Sequence, residues 1–306
     1  MAIISLLIAS AIVAYPAPPV QPMRPNTSSI AETFLPGREE DARVADISWR
    51  LAMMARARCP RLDPASGLVL QHLSQFQLAD RAGILAALPL DRGPGVIVIV
   101  PDGPAATAGI RAGDVILAID GTPVPAEPDL TAPFDPTRAH ARADAVADLL
   151  QRAHELTLLR GGGEIKATLT PLPACPSRIH LARSPQRNAY ADGRHVFLTT
   201  GSLTLLGNDD ELAFMLAHEM AHNILGHAAL IRGRKLQQRD VRALESAADR
   251  LGAEMMLDAG YDPVAGAAML KRIGSADFGI ALFADHEPVG KRIAALRALV
   301  GARHTP

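Results

Sequence analysis

The chain has 306 residues, of which 48% are hydrophobic and 21% charged, and its formal net charge is -1. This length and composition are typical of a globular protein with two modest domains. The nearly neutral charge excludes the basic field on which nucleic-acid binding depends, and an aromatic content of 4% gives no support to a base-stacking surface. We therefore expect no nucleic-acid partner.

The first fifteen residues are almost wholly apolar, and Ala14 could be the last residue before a cleavage site. This pattern favours a signal peptide over residues 1–15, so we expect an exported, periplasmic or envelope-associated protein. Two alternatives stay open, namely an uncleaved anchor that keeps the chain near a membrane and a misassigned start. Residues 16–37 are rich in Pro, Ser and Thr, which is typical of a flexible linker.

Residues 38–60 begin with an amphipathic pattern in which Val44 and Ile47 share one helical face. We expect this helix to pack on the C-terminal unit, with a middle unit inserted between the two. The two cysteines, Cys59 and Cys175, bracket that middle unit. An even cysteine count predicts a disulfide in an exported protein, and two buried free thiols are the alternative.

The middle unit, residues 66–172, has the pattern of a small α/β module. It contains a buried strand at 95–100, a helix at 142–153 and a hairpin at 154–171 with a glycine run at its tip. Between the first strand and the helix, glycines and small residues recur at fixed offsets. They are Pro104-Ala105-Ala106, Ala108-Gly109-Ile110, Gly113-Asp114, Ile116, Ile119 and Asp120-Gly121.

These residues resemble a PDZ domain. The resemblance implies a groove in which the carboxy-terminal end of a polypeptide adds as a strand beside a loop and a helix. The loop would be Arg81-Ala82-Gly83-Ile84, with Ala82, Gly83 and Ile84 in the groove, and the helix would be 142–153. A spacer with an occluded groove is the alternative.

The C-terminal unit, residues 175–306, has strand-like stretches at 178–183 and 195–200. Four predicted helices follow, at 209–231, 238–259, 262–274 and 288–300. An α-rich unit with a small sheet, joined to a β-rich module, predicts an α+β fold.

The helix at 209–231 contains the string His218-Glu219-x-x-His222. Two histidines four residues apart share one helical face and supply half of a tetrahedral zinc site. Glu219 can take a proton from a water at the metal and pass it to a leaving amine. Such a string also arises by chance. His227 lies five residues after His222, so we expect it to point elsewhere and to be structural.

A second helix supports the metal hypothesis, because Glu245 and Asp249 are also one turn apart. Glu245 would complete a His-His-Glu site with one position open for water. Asp249 would hold a ligand in place through a hydrogen bond. The alternative is a solvated helix with a stray acidic pair.

This unit resembles the HtpX-like and CAAX-prenyl-protease-like zinc metallopeptidases. The residues that carry the resemblance are Asn188-Ala189-Tyr190, Thr199–Leu203, Glu211-Leu212-Ala213, His218–His222, Gly226-His227, Glu245–Asp249, Ala259–Pro263, His286-Glu287-Pro288 and Arg292-Ile293.

The resemblance implies one Zn²⁺ per chain, held by His218, His222 and Glu245, with Glu219 as catalytic base. It also implies that Asn188, Ala189 and Tyr190 bind extended substrate by β-addition. Asp249 and Arg292 would support the ligands from behind. His286 would contact the metal or stabilise the oxyanion, and a supporting or surface histidine is the alternative.

We therefore expect a zinc-dependent endopeptidase that acts on unfolded or misassembled polypeptides in envelope quality control. The PDZ-like domain would recruit or gate these substrates through their exposed C-termini. A PDZ-type binding or chaperone protein with a latent protease site is the main alternative. An aminopeptidase would need a group that captures the substrate amine, and an intramembrane protease would need the motif in a long apolar segment.

Overall fold

The computed structural model describes residues 38–124, 131–233, 236–272 and 287–303. Within these ranges the protein has the expected α+β fold, with strands concentrated in the middle of the chain and helices towards its C-terminal end. The strands are β1 (Asp63–Ala65), β2 (Leu68–Gln71), β3 (Gly95–Ile99), β4 (Val115–Ile119), β5 (Thr122–Pro123), β6 (Glu155–Arg160), β7 (Gly163–Thr168), β8 (Leu172–Ala174), β9 (Arg178–Ala182), β10 (Ala189–Ala191) and β11 (His195–Thr199).

The helices are α1 (Glu39–Met54), α2 (Leu78–Ala87), α3 (Pro104–Thr107), α4 (Pro136–Leu150), α5 (Thr200–Leu203), α6 (Asp209–Ile224), α7 (His227–Ile231), α8 (Gln238–Asp258), α9 (Pro263–Gly266) and α10 (Val289–Arg303). Short 3₁₀ helices occupy Arg56–Arg58, Leu73–Gln75 and Ala267–Lys271. None of the helices in the described ranges combines the length and the apolar composition that a bilayer crossing needs.

The middle unit is built on a six-stranded sheet in the order β2-β3-β4-β6-β7, with β5 paired to β4. All of its strand pairs are antiparallel. Strand β3 is buried along its whole length, as a continuous apolar run predicts. On one face of the sheet, Val96, Ile116 and Leu158 pack with Val146 of α4 in a single apolar core.

The prediction that Arg81–Ile84 form the loop beside the peptide groove is wrong, because these residues lie within α2. The segment is rich in Ala and Leu and has no proline, so helix formation is favoured despite Gly83. Backbone N–H groups used inside a helix are not available to bind a terminal carboxylate. Gly83 and Ile84 do line a cavity of about 1160 Å³ between the two units, but from the side of a helix.

The C-terminal unit combines a three-stranded sheet, in the order β10-β11-β9, with a helical layer. Strand β11 pairs antiparallel with β10 and parallel with β9. Helix α6 is the centre of the unit, since Leu212, Leu216 and Met220 are fully buried in its core. Because almost every side chain of α6 is buried, its polar residues also lie inside the protein.

Two of the predicted helices of this unit are interrupted. The helix expected over 209–231 ends at Ile224, and Gly226 with φ of 69° separates it from α7. Glycine adopts this left-handed conformation without the steric cost of a side chain. The helix expected over 262–274 is a short α9 followed by a 3₁₀ turn, and its last residues lie outside the described ranges.

Helix α1 lies between the two units and contacts both. Val44, Ile47 and Leu51 join the core around α6, while Ala42 and Ala45 pack with apolar residues of the middle unit. A disulfide joins Cys59, just after α1, to Cys175, just before β9, with a Cα–Cα distance of 5.7 Å. The disulfide therefore joins the two ends of the middle unit covalently.

Charged side chains connect α4 of the middle unit to the sheet of the C-terminal unit. Asp144 lies 2.8 Å from His195 Nε2 and accepts a hydrogen bond of 2.6 Å from Arg178. Asp148 accepts hydrogen bonds from Arg178 and Arg194. Burial opposes ionisation of Asp144, but the hydrogen bonds from His195 and Arg178 lower its pKa. We call this set of five residues the junction.

Candidate metal centre

Helix α6 carries the first part of the candidate site. Its N-terminus is capped by Asn208, whose side chain accepts a hydrogen bond of 3.0 Å from the Glu211 backbone N–H. Three acidic residues in the first turn suit the positive end of the helix. Two turns further along, His218 and His222 project from the same face, and the Nε2 atoms of their rings lie 3.1 Å apart.

Helix α8 supplies the third side chain because it passes very close to α6. A Cβ added at Gly252 would lie only 3.0–3.1 Å from backbone atoms of Ala217 and His218. Glycine at this position therefore permits the close approach of the two helices. Glu245 and Asp249, which lie two turns and one turn before the crossing, face the histidines of α6.

The three predicted ligands converge on one point. Glu245 Oε2 lies 3.2 Å from His218 Nε2 and 3.4 Å from His222 Nε2. Ligand atoms at 2.0–2.1 Å from a tetrahedral zinc ion are separated by about 3.3 Å. The observed spacing of 3.1–3.4 Å fits that geometry. Among the described residues, this is the one group of three or more His, Cys, Asp or Glu side chains with metal-site spacing.

The ring of His218 is held in place by an ion pair, Asp249 with Arg292. Its Nδ1 lies 3.0 Å from Asp249 Oδ1, and Arg292 donates two hydrogen bonds of 2.7 Å to the same carboxylate. Burial opposes protonation of His218, but hydrogen bonds to Asp249 and Glu245 raise its pKa to about 10. Burial likewise opposes ionisation of Asp249, but His218 and Arg292 lower its pKa. Asp249 thus keeps its charge and fixes the ring orientation.

The ring of His222 has a different partner, which the sequence interpretation missed. Nδ1 of His227 lies 2.9 Å from Nδ1 of His222, and His227 is 5% exposed. Burial, followed by the nearby His222, lowers the pKa of His227 to about 4. The expectation that His227 points away is wrong because the helix ends before it. Gly226, a common residue just after a helix C-terminus, was the signal for that end.

Glu219 follows His218 on α6 and is 4% exposed. Its negative charge is close enough to contribute to the raised pKa of His218. A buried carboxylate next to a metal-ligand set, on the same helix, is the arrangement required of a general base in metal-assisted hydrolysis.

Strand β10 contains the residues predicted to bind extended substrate. It is the outermost strand of its sheet and is paired with β11 on one side. Ala189 is buried, whereas Tyr190 is 43% exposed and stacks on Phe197. Asn188 precedes the strand, and its backbone carbonyl accepts a hydrogen bond of 2.8 Å from Ser202. The strand is therefore fixed on its inner side.

The predicted groove residues of the middle unit are not part of this centre. His286 lies outside the described residues. Ala82, Gly83 and Ile84 belong to α2 of the middle unit. Arg292, by contrast, does belong to this centre, because it donates a hydrogen bond to Asp249.

Sequence comparisons agree with the geometry. Residues 164–238 match the sequence model of peptidase family M48. The matched segment belongs to this family. Residues 95–132 match a PDZ domain, so the family resemblance and the PDZ resemblance predicted from the sequence are both confirmed. The M48 match includes His218, Glu219 and His222 but ends before Glu245, so the assignment of Glu245 as third ligand rests on its position in the structure.

Two curated relatives are similar to a limited part of the chain. One is the magnetosome formation protease MamE of Magnetospirillum gryphiswaldense, which is 35% identical over 102 residues. The other is the magnetosome formation protease MamE of Paramagnetospirillum magneticum, which is 31% identical over 99 residues. Each match covers 32% of this chain and 13% of the relative, so the chain spans about an eighth of their length.

Proposed function

We propose that this protein is a zinc-dependent endopeptidase with one Zn²⁺ per chain. The observation that carries the proposal is the convergence of His218 Nε2, His222 Nε2 and Glu245 Oε2 within 3.1–3.4 Å of one another. Two imidazoles and one carboxylate leave a fourth position open, which is the composition of a catalytic rather than a structural zinc site.

The proposed reaction is hydrolysis of a peptide bond. A zinc ion held by these three side chains would supply Lewis acidity to water and to the scissile carbonyl. Glu219 takes a proton from the attacking water as the new C–O bond forms, and it delivers a proton to the amine as the C–N bond breaks. Asp249 and Arg292 keep His218 in place during the reaction.

Strand β10 is the proposed binding element for the substrate backbone. An edge strand pairs with the main chain of an extended polypeptide and is therefore tolerant of its side chains. This tolerance supports a role on unfolded or misassembled proteins, because a folded domain does not present an extended segment. Tyr190, exposed and stacked on Phe197, offers an apolar contact for one substrate side chain.

The PDZ domain is the proposed recruiting or gating element for such substrates, through their exposed C-termini. Strand β2, helix α4 and strand β9 all line the cavity of about 1160 Å³ between the units. A polypeptide bound there would contact the peptidase unit as well as the PDZ domain.

We also propose export to an envelope compartment, where quality control would be the role of the enzyme. The Cys59–Cys175 disulfide is typical of an oxidising compartment, and the first fifteen residues are almost wholly apolar. Cell fractionation that finds the chain in the cytoplasm with both cysteines reduced would contradict export.

The test of the enzymatic proposal pairs metal content with cleavage of unfolded casein. The wild type, Glu219→Gln and, as a matched control, Glu164→Gln on the exposed face of β7 are compared. We expect one zinc per chain in all three proteins and cleavage by the wild type and the control. Glu219→Gln should lose at least about 100-fold of the activity, because the contribution of a general base is of that order or larger.

Each remaining outcome separates the alternatives. Zinc in all three proteins without cleavage by any of them would favour a PDZ-type binding or chaperone protein with a latent site. Cleavage by Glu219→Gln at the wild-type rate would remove Glu219 from the mechanism. Absence of zinc from the wild type would contradict the proposal itself.

A further inference from the structure

The two histidines of the metal centre contact different kinds of side chain through their Nδ1 atoms. His218 contacts the carboxylate of Asp249, which can only accept a hydrogen bond while it is ionised. His222 contacts another imidazole, that of His227, and the two Nδ1 atoms lie 2.9 Å apart. A neutral imidazole can either donate or accept at Nδ1, depending on its tautomer.

A single proton must lie between the two Nδ1 atoms, and its position decides whether His222 can bind a metal. When His222 carries the proton at Nδ1, its Nε2 lone pair is free and faces the other two ligands. When His227 carries the proton instead, neutral His222 has its own proton at Nε2, where it blocks coordination. The contact therefore favours metal binding in only one of its two arrangements.

We propose that His227 is a positioning residue, which accepts the Nδ1–H of His222 and thereby fixes the tautomer that presents Nε2 to the metal. This inference rests on the metal site proposed above. It requires His227 itself to carry its proton at Nε2. The left-handed Gly226, with φ of 69°, lets the chain turn back after α6 and places His227 at this position.

Burial and ring packing make the arrangement rigid. His227 is 5% exposed, and its ring meets that of His222 edge to face at a centroid distance of 4.8 Å. Because the ring is enclosed, water cannot readily replace His227 as the acceptor. Loss of the acceptor should therefore affect zinc affinity rather than only the local packing.

Zinc affinity of variants tests the proposal without reference to catalysis. His227→Phe keeps an aromatic ring but removes the acceptor, and His227→Asn puts an oxygen near the position of Nδ1. We expect zinc affinity, measured by chelator competition, to fall about 10–100-fold in His227→Phe. His227→Asn should recover most of that loss, and His154→Phe, at an exposed histidine of the PDZ domain, should match the wild type.

The outcomes separate this inference from the proposed function. A wild type that binds no zinc would overturn the metal site itself. A folded His227→Phe that binds zinc as tightly as the wild type would overturn only the role of His227.

A second measurement needs no variant and covers the case in which His227→Phe does not fold. Nitrogen-15 chemical shifts of the histidine rings in the zinc-loaded wild type report the tautomer of each ring. We expect His227 to be protonated at Nε2 and unprotonated at Nδ1. Protonation of His227 at Nδ1 would contradict the proposal.

Discussion

The metal centre and the junction both consist of histidines, carboxylates and arginines, but they are built on different principles. At the metal centre the ligands come from two long helices, and residues one turn apart on each helix face the same side. The supporting pair, Asp249 and Arg292, is almost fully buried. At the junction, Asp144 and Asp148 of α4 meet side chains of β9 and β11 that are 30–51 residues away, and the groups are partly exposed.

The difference has an energetic consequence. A buried charge that loses its partner retains the full desolvation penalty, whereas an exposed charge is solvated by water instead. The metal centre should therefore respond strongly to the loss of one charged group, and the junction only weakly. Substitutions in the two regions test this contrast.

The largest effect is expected at Arg292, whose side chain is 5% exposed. Arg292→Leu would remove the two hydrogen bonds that the guanidinium donates to the buried Asp249 carboxylate, and breaking a buried ion pair in this way costs about 3–5 kcal/mol of unfolding free energy. The matched control is Arg297→Leu, at an exposed position of the same helix, which should change stability by less than about 0.5 kcal/mol. Urea unfolding of the zinc-free proteins measures both. Equal stability of the two variants would contradict the contrast.

A smaller effect is expected at Asp144, which is 24% exposed and makes contacts with His195 and Arg178. Asp144→Asn should cost about 1 kcal/mol or less. Hydrogen exchange should become faster in α4 and β11, while zinc content should not change. Asp46→Asn, which breaks a pair within α1, is the control and should leave exchange at the junction unaltered.

The stability difference between the wild type and Asp144→Asn should depend on pH in a defined direction. The pKa of Asp144 is lower in the folded state than its usual value of about 3.9. Its contribution to stability is therefore fully present above about pH 4 and is lost as the pH falls through the folded-state pKa. The stability difference between the wild type and Asp144→Asn should shrink below pH 4. A difference that grows towards acid pH would rule out this interpretation.

Local periodicity explains why the metal centre could be predicted from the sequence. His218 with His222, and Glu245 with Asp249, are each four residues apart, so helical geometry alone aligns each pair. Pairing of the two helices then followed from the chemistry of zinc, which requires a third ligand. The PDZ strands were predictable for a similar reason, since β3 is a continuous apolar run between turns.

The errors arose where the chain departs from a regular period. In an unbroken helix, residues five apart differ by about 140° in direction, so His227 was expected to point away from His222. The left-handed Gly226 ends the helix and reverses that expectation. At Arg81–Ile84, Gly83 is typical of a loop, but the surrounding helix-forming residues keep the segment helical. The junction had no local signal at all, because Asp144 and His195 belong to different units.

X-ray absorption at the zinc edge of the zinc-loaded wild type would identify the atoms that bind the metal. His218, His222 and Glu245 predict a first shell of nitrogen and oxygen atoms only, at about 2.0–2.1 Å. They also predict outer-shell scattering from two imidazole rings, and this scattering should fall to that of one ring in His222→Ala. A sulfur scatterer at about 2.3 Å, or a spectrum without imidazole, would rule out this set of ligands.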